Sequence, residues 1–209
     1  MYDKGRGVAQ DYKTAVKWYT LAAEQGNAVA QSNLGAMYDH GQGVAQDYKT
    51  AVKWYTLAVE QGNAEAQYNL AFMYDNGDGV AQDYQTAIKW YTLSAEQGTA
   101  QAQLNLGLMY YQGKGVVQDY KTAVKWYSLA AEQGIFEAQN NLALMYGKGQ
   151  GVEQDYVKAH KWYIIAAIDG NVEVIKRRDI VAKLMTAAQI AQAQEAATRC
   201  IKQNFKNCD

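Results

Sequence analysis

Apolar residues recur at intervals of three and four along most of the chain, which is the spacing of one face of an α-helix. The pattern itself returns every 36 residues, and its methionine–tyrosine pairs begin at Met1, Met37, Met73, Met109 and Met145. A fixed period of this length is typical of a solenoid, in which each unit packs mainly on its neighbours. The sequence therefore predicts an all-α solenoid of antiparallel helix pairs.

Each period is predicted to contain two helices. The segment "NAVAQSNLGAMYDH" is predicted to form helix A, with Asn27 as its N-cap and Gly41 at its end. The segment "YKTAVKWYTLAVEQ" is predicted to form helix B, with Asp47 as its N-cap and Gly62 in a left-handed conformation after it. Gly41 and Gly43 give the linker "GQGVAQ" the tight turn that an antiparallel pair needs.

The predicted organisation is a half repeat, four full repeats and a C-terminal cap. The boundaries are 1–26 for the half repeat, 27–62, 63–98, 99–134 and 135–170 for the full repeats, and 171–209 for the cap. Because Met1 aligns with methionines late in helix A, we expect the chain to begin within a repeat, through trimming or by nature. In the cap, "VEVIKRRDIVAKLM" is predicted to form a last A-type helix. Thr186 and Gln189 are predicted to form a capping box before the final helix, "AAQIAQAQEAATRCIKQNF".

Aromatic residues recur in register. One tryptophan column and three tyrosine columns run along the repeats: Trp18, Trp54, Trp90, Trp126 and Trp162; Tyr2, Tyr38, Tyr74, Tyr110 and Tyr146; Tyr12, Tyr48, Tyr84, Tyr120 and Tyr156; Tyr19, Tyr55, Tyr91, Tyr127 and Tyr163. Only Tyr68 and Tyr111 stand outside them. Buried aromatic side chains dominate core energetics, so we interpret the columns as packing rather than as a stack for a ligand.

Charge and hydropathy exclude two classes of partner. The formal net charge is −1, so no general attraction to nucleic acid or to an anionic membrane is expected. No apolar run approaches the roughly 20 residues of a membrane-spanning helix. No export signal precedes the first repeat, although trimming could have removed one.

Residues with catalytic chemistry do not form a recognisable constellation. His40 and His160 occupy unlike positions in different repeats, which gives neither a zinc site nor a histidine-based triad. We interpret His40 as a solvated helix-end residue and His160 as a packing variant of helix B. No Ser-x-x-Lys pattern and no phosphate-binding loop occurs. We therefore expect no enzyme activity, no cofactor and no metal.

The segment "AEAQYNLAFMYDNGDGVAQDYQTAIKWYTLSAEQGTA" resembles the Sel-one-like repeats, relatives of the tetratricopeptide repeats. The resemblance lies in the A-x-x-x-L-[GA]-x-M-Y, G-x-G-V and D-Y-x-x-A-x-x-W-Y runs and covers residues 1 to about 170. It implies a right-handed superhelix with A helices on its concave side, and an adaptor or inhibitor that binds proteins or peptides. Members often carry proline after G-x-G-V, whereas this chain has no proline; the positions are Ala9, Ala45, Ala81, Val117 and Glu153. We expect this departure to lower stability slightly.

Cys200 and Cys208 are the two cysteines of the chain. Their spacing resembles that of the disulfides in cysteine-rich secreted members of the family. On one continuous helix they would be about 12 Å apart, too far to bond, but a helix that ends near Asn204 lets the chain fold back. A disulfide would favour a periplasmic or secreted location, whereas two free thiols would leave a cytoplasmic one open.

Helix A varies between repeats on a single face. The variable positions are Val29, Glu65, Gln101 and Glu137; Ser32, Tyr68, Leu104 and Asn140; Ala36, Phe72, Leu108 and Leu144; His40, Asn76, Gln112 and Lys148. Apolar residues that the fold does not require favour a binding surface. We predict a partner-binding groove formed by Glu65, Tyr68, Phe72, Asp75, Asn76, Gln101, Leu104, Leu108, Tyr111, Asn140 and Leu144. Alternatively, Leu104, Leu108 and Leu144 pack against the next repeat.

The leading functional hypothesis is a non-enzymatic module that binds a peptide or partner protein in this groove. A second hypothesis is an exported protein that binds or inhibits components of the cell wall. A third is a structural, self-associating repeat, because the half repeat would leave the Trp18 side of its helix B uncovered.

Overall fold

The computed structural model describes residue 3, residues 10–206 and residue 208. Within this part, the chain forms eleven α-helices and no strand. The predicted positions Met1, Tyr2 and Ala9 lie outside the described residues.

The helices alternate between the predicted B and A types. The B-type helices are α1 (Tyr12–Glu24), α3 (Tyr48–Val59), α5 (Tyr84–Glu96), α7 (Tyr120–Ala131) and α9 (Tyr156–Ala166). The A-type helices are α2 (Ala28–His40), α4 (Ala64–Asn76), α6 (Ala100–Gln112), α8 (Phe136–Lys148) and α10 (Val172–Ala182). The last helix is α11 (Ala187–Lys202). The expected α-solenoid of helix pairs is confirmed.

The predicted N-cap of helix A and the left-handed glycines are confirmed, but three helices end two or three residues earlier than predicted: α3, α10 (predicted to Met185) and α11 (predicted to Phe205). The Asn27 side chain accepts a hydrogen bond from the Ala30 N–H at 2.8 Å, and Gly41 is left-handed with φ 67°. Gly62 is also left-handed, with φ 78°. Helix B nevertheless ends at Val59, two residues before the predicted Gln61, because the chain turns there and the Gly62 N–H donates to the Val59 carbonyl at 2.9 Å.

A glutamine in each described linker closes the helix pair. Its side-chain amide donates to a carbonyl in the last turn of the preceding helix A. The pairs are Gln46 to Asp39 at 2.6 Å, Gln82 to Asp75 at 2.7 Å, Gln118 to Tyr111 at 2.7 Å and Gln154 to Gly147 at 2.8 Å. This repeated clamp explains why the linker keeps its glutamine.

The chain divides into two compact units, Met1–Thr99 and Ala100–Asp209. In the first, Tyr55 and Tyr91 are fully buried, and in the second Tyr127 and Tyr163 are nearly so. This tyrosine column forms the core, as predicted, beside small alanines and the leucines of the A helices.

The tryptophan column is less uniform than the sequence suggested. Trp162 is fully buried, whereas Trp18 is 61% exposed and Trp54 and Trp90 are half-buried. Both α10 and α11 pack against α9, the helix that carries Trp162. Trp126 is also buried, so the tryptophan column is buried in the second unit and partly exposed in the first.

The C-terminal cap keeps its predicted capping box. The Thr186 hydroxyl accepts from the Gln189 N–H, and the Gln189 side chain accepts from the Thr186 N–H at 2.9 Å. The final helix ends at Lys202, and Asn204 and Phe205 are left-handed, so the chain folds back. Cys200 and Cys208 form a disulfide with their Cα atoms 4.9 Å apart. In the described residues, no helix is both long enough and apolar enough to span a membrane.

Candidate partner-binding surface

In the first unit, the predicted surface residues lie on α4 at different depths. Phe72 is 43% exposed, whereas Tyr68 is half-buried with its ring centroid 5.9 Å from that of the core residue Tyr91. Glu65 and Asn76 are exposed beside them, and Asp75 is half-buried. Phe72 is thus the exposed apolar side chain of this face, and Tyr68 lies at the edge of the core.

The aspartate near the end of helix A has a structural role. Asp39, in the same register as Asp75, accepts a hydrogen bond from the buried Tyr55 hydroxyl at 3.4 Å. Burial raises the pKa of the Asp39 carboxyl, and the neighbouring His40 opposes this shift. The half-buried Asp39 side chain therefore contacts the core residue Tyr55 as well as solvent.

In the second unit, α6 and α8 carry the remaining predicted residues. Leu104 packs against the core, which agrees with the alternative interpretation of this leucine. Leu108 is 38% exposed, and the Tyr111 ring lies against Tyr120 with centroids 5.4 Å apart. Gln101 is exposed. The Asn140 side chain accepts a hydrogen bond from Arg177 at 3.4 Å, which joins α8 to α10.

Leu108, Tyr111 and Leu144 come together at a small depression of about 50 Å³. Its remaining wall consists of Tyr127 and Asn141. The structure thus brings three of the predicted surface residues into one apolar site within the second unit.

A larger cleft, of about 480 Å³, lies between α8, α9 and α10. We call it the α8–α10 cleft; its lining comprises Leu144, Gly147, Lys148, Tyr156, Tyr163, Arg177, Ile180, Val181 and Leu184. Ile180 and Leu184 are about 60% exposed. Leu144 also lines the small depression, so the two concavities share one apolar wall.

Sequence reasoning missed the α10 wall of this cleft because the comparison of repeats ended at residue 170. Carrying the 36-residue register one step further aligns Ile180 with Leu144 and Leu184 with Lys148. It also aligns Arg177 with Asn141. The signal was present in the sequence, but α10 lacks the methionine–tyrosine pair that marks the other A helices.

Arg177 places positive charge at the α8–α10 cleft. Its Nε lies 3.6 Å from an oxygen of the exposed Glu173 side chain, one turn earlier on α10. Tyr163 and Arg177 line the same cleft; burial raises the pKa of the Tyr163 hydroxyl, and the Arg177 charge opposes this shift. Lys148, in the last turn of α8, adds a second cation.

Neither histidine belongs to a site. His40 is exposed at the end of α2 and contacts the Ala36 carbonyl at 2.9 Å, as expected of a helix-end residue. His160 is buried on α9, where the other B helices carry valine or isoleucine, and burial lowers its pKa. In the described part of the chain, no cluster of three or more histidine, cysteine, aspartate or glutamate residues is arranged to hold a metal ion.

The model of the Sel1 repeat matches residues 1–27, 28–63, 64–99, 100–135 and 136–171. The chain belongs to the Sel1 repeat family. Sel1 repeat proteins are in general scaffolds that mediate protein–protein interactions rather than enzymes. A search of curated proteins found no match.

Solved structures of Sel1 repeat proteins agree with this assignment. A Sel1 repeat protein from Oxalobacter formigenes is 39% identical over 99% of this chain and 84% of its own, with a TM-score of 0.79. A protective antigen of uropathogenic Escherichia coli with the same repeat fold is 37% identical over the whole chain, with a TM-score of 0.60. The chain spans about half (52%) of that antigen.

Proposed function

We propose that this Sel1 repeat protein is a non-enzymatic adaptor that binds a peptide or partner protein through the exposed faces of its A helices. The observation that carries the proposal is the exposure of Phe72 (43%) and Leu108 (38%) at a register position where Ala36 satisfies the fold. Exposed apolar area of this kind is stabilised when a partner covers it, by about 25 cal/mol per Å².

Each unit offers its own face. In the first, Phe72 stands between the exposed polar side chains of Glu65 and Asn76. In the second, Leu108 borders the depression that Tyr111 and Leu144 complete. An apolar centre with a polar rim is the usual composition of a protein-binding surface.

A peptide-display selection against the folded chain tests the proposal, with matched alanine variants. Leu108→Ala is expected to weaken selected peptides about tenfold, because an anchoring side chain at a hot spot contributes on the order of 1–2 kcal/mol. Leu129→Ala is the control, since Leu129 is also 38% exposed in the second unit but lies on a B helix. Phe72→Ala and Leu57→Ala, at 43% and 42% exposure, form the same pair in the first unit.

Two results would contradict this function. Selection that enriches no peptide would remove the binding role. Equal losses in the A-helix and B-helix variants would show that helix A is not the binding face.

We also propose a periplasmic or secreted location. The disulfide between Cys200 and Cys208 supports it, because structural disulfides persist in oxidising compartments. Alkylation of the protein inside intact native cells, followed by mass spectrometry, should leave both cysteines unlabelled. Labelling of both would contradict export.

A further inference from the structure

One of the positions that line the α8–α10 cleft carries no side chain, because it is Gly147. Gly147 stands where earlier repeats have Asp39, Asp75 and Tyr111. A Cβ built on Gly147 would meet only the Ala159 Cβ within 4 Å, at 3.7 Å, which is an ordinary contact. The position therefore has room for a side chain, and its absence leaves the core tyrosine Tyr163 at the wall of an open cleft.

The walls of the cleft are mostly apolar and partly exposed. Ile180 of α10 is 60% exposed, and Leu184, in the turn after that helix, is 58% exposed. The cleft's volume of about 480 Å³ lies within the range of roughly 300–1,000 Å³ usual for pockets that hold ligands. Two aliphatic side chains open to solvent beside a preformed cavity favour an apolar occupant.

The charges at the cleft differ from those at the same register elsewhere. Arg177 replaces the asparagine that stands at Asn33, Asn69, Asn105 and Asn141, and Lys148 replaces His40, Asn76 and Gln112. Asp39 and Asp75 have their counterpart in Gly147, so this position also loses a carboxylate. Glu173 is the acidic group that contacts Arg177, and it is itself 63% exposed. Two changes in the last repeat and one on α10 thus make the cleft positive where the earlier repeats are neutral or acidic.

The shared wall at Leu144 sets the form of the occupant. The small depression around Leu108 and the α8–α10 cleft lie on either side of this residue. Packed helices lie about 8–10 Å apart, and an extended chain advances about 3.3 Å per residue. A segment whose apolar side chains stand two or three residues apart can place one in each concavity.

We propose that the α8–α10 cleft binds an acidic, extended segment of a partner protein, which inserts an apolar side chain beside Ile180 and presents an adjacent Asp or Glu carboxylate to Arg177 and Lys148. The inference rests on the proposed binding function and names its partner chemistry and its place. Arg177 recognises the carboxylate through its planar guanidinium, and the apolar walls supply contact area. Binding at this site should weaken as salt concentration rises.

The experiment uses a random dodecamer library whose peptides are fused to a carrier at their C-terminus, so that every peptide carboxylate comes from Asp or Glu. Peptides selected on the full chain are synthesised with amidated ends and titrated by fluorescence anisotropy. Gly147→Tyr fills the cleft with the residue found at Tyr111, and Arg177→Asn restores the residue of the other repeats. Leu129→Ala, on a B helix of the same unit, is the control. Circular dichroism tests whether each variant is folded. If Gly147→Tyr does not fold, Gly147→Asp takes its place as the variant that partly fills the cleft.

Enriched peptides are expected to carry Asp or Glu within two residues of a large apolar residue. Their affinity should fall about tenfold in Gly147→Tyr and by about fivefold or more in Arg177→Asn. Binding to Arg177→Asn should also depend less on salt concentration. Leu129→Ala should bind like the unaltered chain.

Enrichment of peptides without acidic residues would overturn the inference, and so would full affinity for both cleft variants. If affinity instead falls only in Leu108→Ala or Phe72→Ala, the cleft assignment is wrong and the proposed function stands. If no peptide binds any form of the chain, the proposed function falls as well.

Discussion

At the scale of single residues, the repeats show what the fold requires, because each register position is filled several times. Val16, Val52, Ile88 and Val124 precede His160 in one such series. His160 is 4% exposed, and its Nδ1 has no hydrogen-bond partner within the described chain. A titratable group has thus entered a site that is apolar in the other repeats.

His160→Val is expected to flatten the dependence of stability on pH. Burial lowers the pKa of His160 below its ordinary 6.5, although a hydrogen bond with the Arg178 backbone opposes the shift; the Arg178 charge also lowers this pKa, and Asp179 raises it. The unfolded chain therefore binds the proton more readily, so the contribution of the neutral ring is complete above pH 6.5 and is lost as the pH falls towards the folded-state pKa. Urea unfolding at pH 7.5 and 5.5 measures the difference.

The same register position in another repeat supplies the control for that measurement. Ile88→Val introduces the residue found at Val52 and should leave the pH dependence of the unfolding free energy unchanged, because no titratable group is altered. An unaltered slope in His160→Val would contradict the interpretation.

Gly147→Ala is expected to raise the unfolding free energy by about 0.5–1 kcal/mol, because alanine favours the helix over glycine and the new Cβ meets only Ala159. Thermal unfolding measures the gain. Gly35→Ala is the contrast, since its Cβ would come within 2.7 Å of Tyr55 ring carbons and the ring must shift. Equal gains at both positions would show that local space does not decide the effect.

At the scale of elements, the sequence predicts most of the fold. The spacing of apolar residues identifies the helices, and Asn27, Asp47 and Thr186 mark where three of them begin. The end of helix B was predicted two residues late, since the glycine that marks the turn lies beyond the last helical residue. The linker glutamine clamp was missed because its partner is a backbone carbonyl, which no side-chain pattern reveals.

Asn63→Ala is expected to lower the unfolding free energy by about 1 kcal/mol, the usual effect of losing an N-cap. The Asn63 side chain accepts from the Ala66 N–H at 2.8 Å at the start of α4. Urea unfolding checks the loss. Gln101→Ala, which removes an exposed amide within α6, should change little, and a comparable loss there would argue against a capping effect.

The predicted surface residues lie at different depths, because helical spacing gives the direction of a side chain but not its depth. Phe72 and Leu108 are exposed, whereas Tyr68 is half-buried beside a core tyrosine and Leu104 packs into the core. How deeply a side chain is buried depends on the helices packed around it, and the sequence pattern of a single repeat does not give their positions. The α10 side of the α8–α10 cleft can be predicted from the sequence only if the 36-residue spacing is continued past residue 170, so that α10 is aligned with the other A helices.

At the scale of the whole molecule, the chain combines nearly identical helix pairs with a final segment held by a covalent bond. The disulfide joins Cys200 and Cys208, which are both buried, and the Lys161 ammonium donates to the Cys208 carbonyl. The same lysine lies against the Trp162 ring, 4.5 Å from its centroid. The end of the described chain is therefore bonded covalently to α11 and joined to α9 by the hydrogen bond from Lys161.

Cys208→Ser is expected to lower the unfolding free energy by about 2–3 kcal/mol, the chain-entropy effect of opening so short a covalent loop. Denaturant titration measures it. A reducing agent should produce the same loss in the unaltered protein and no further loss in Cys208→Ser. Reductant sensitivity that persists in the variant would mean that this bond is not its source.

The α8–α10 cleft is formed by the last repeat, the helix that follows it and the turn after that helix. Recombination between the almost identical upstream repeats could add or delete a helix pair and keep every repeat-to-repeat contact in register. The length of the protein could therefore drift between lineages while this cleft is inherited intact, and selection could act on the two properties separately.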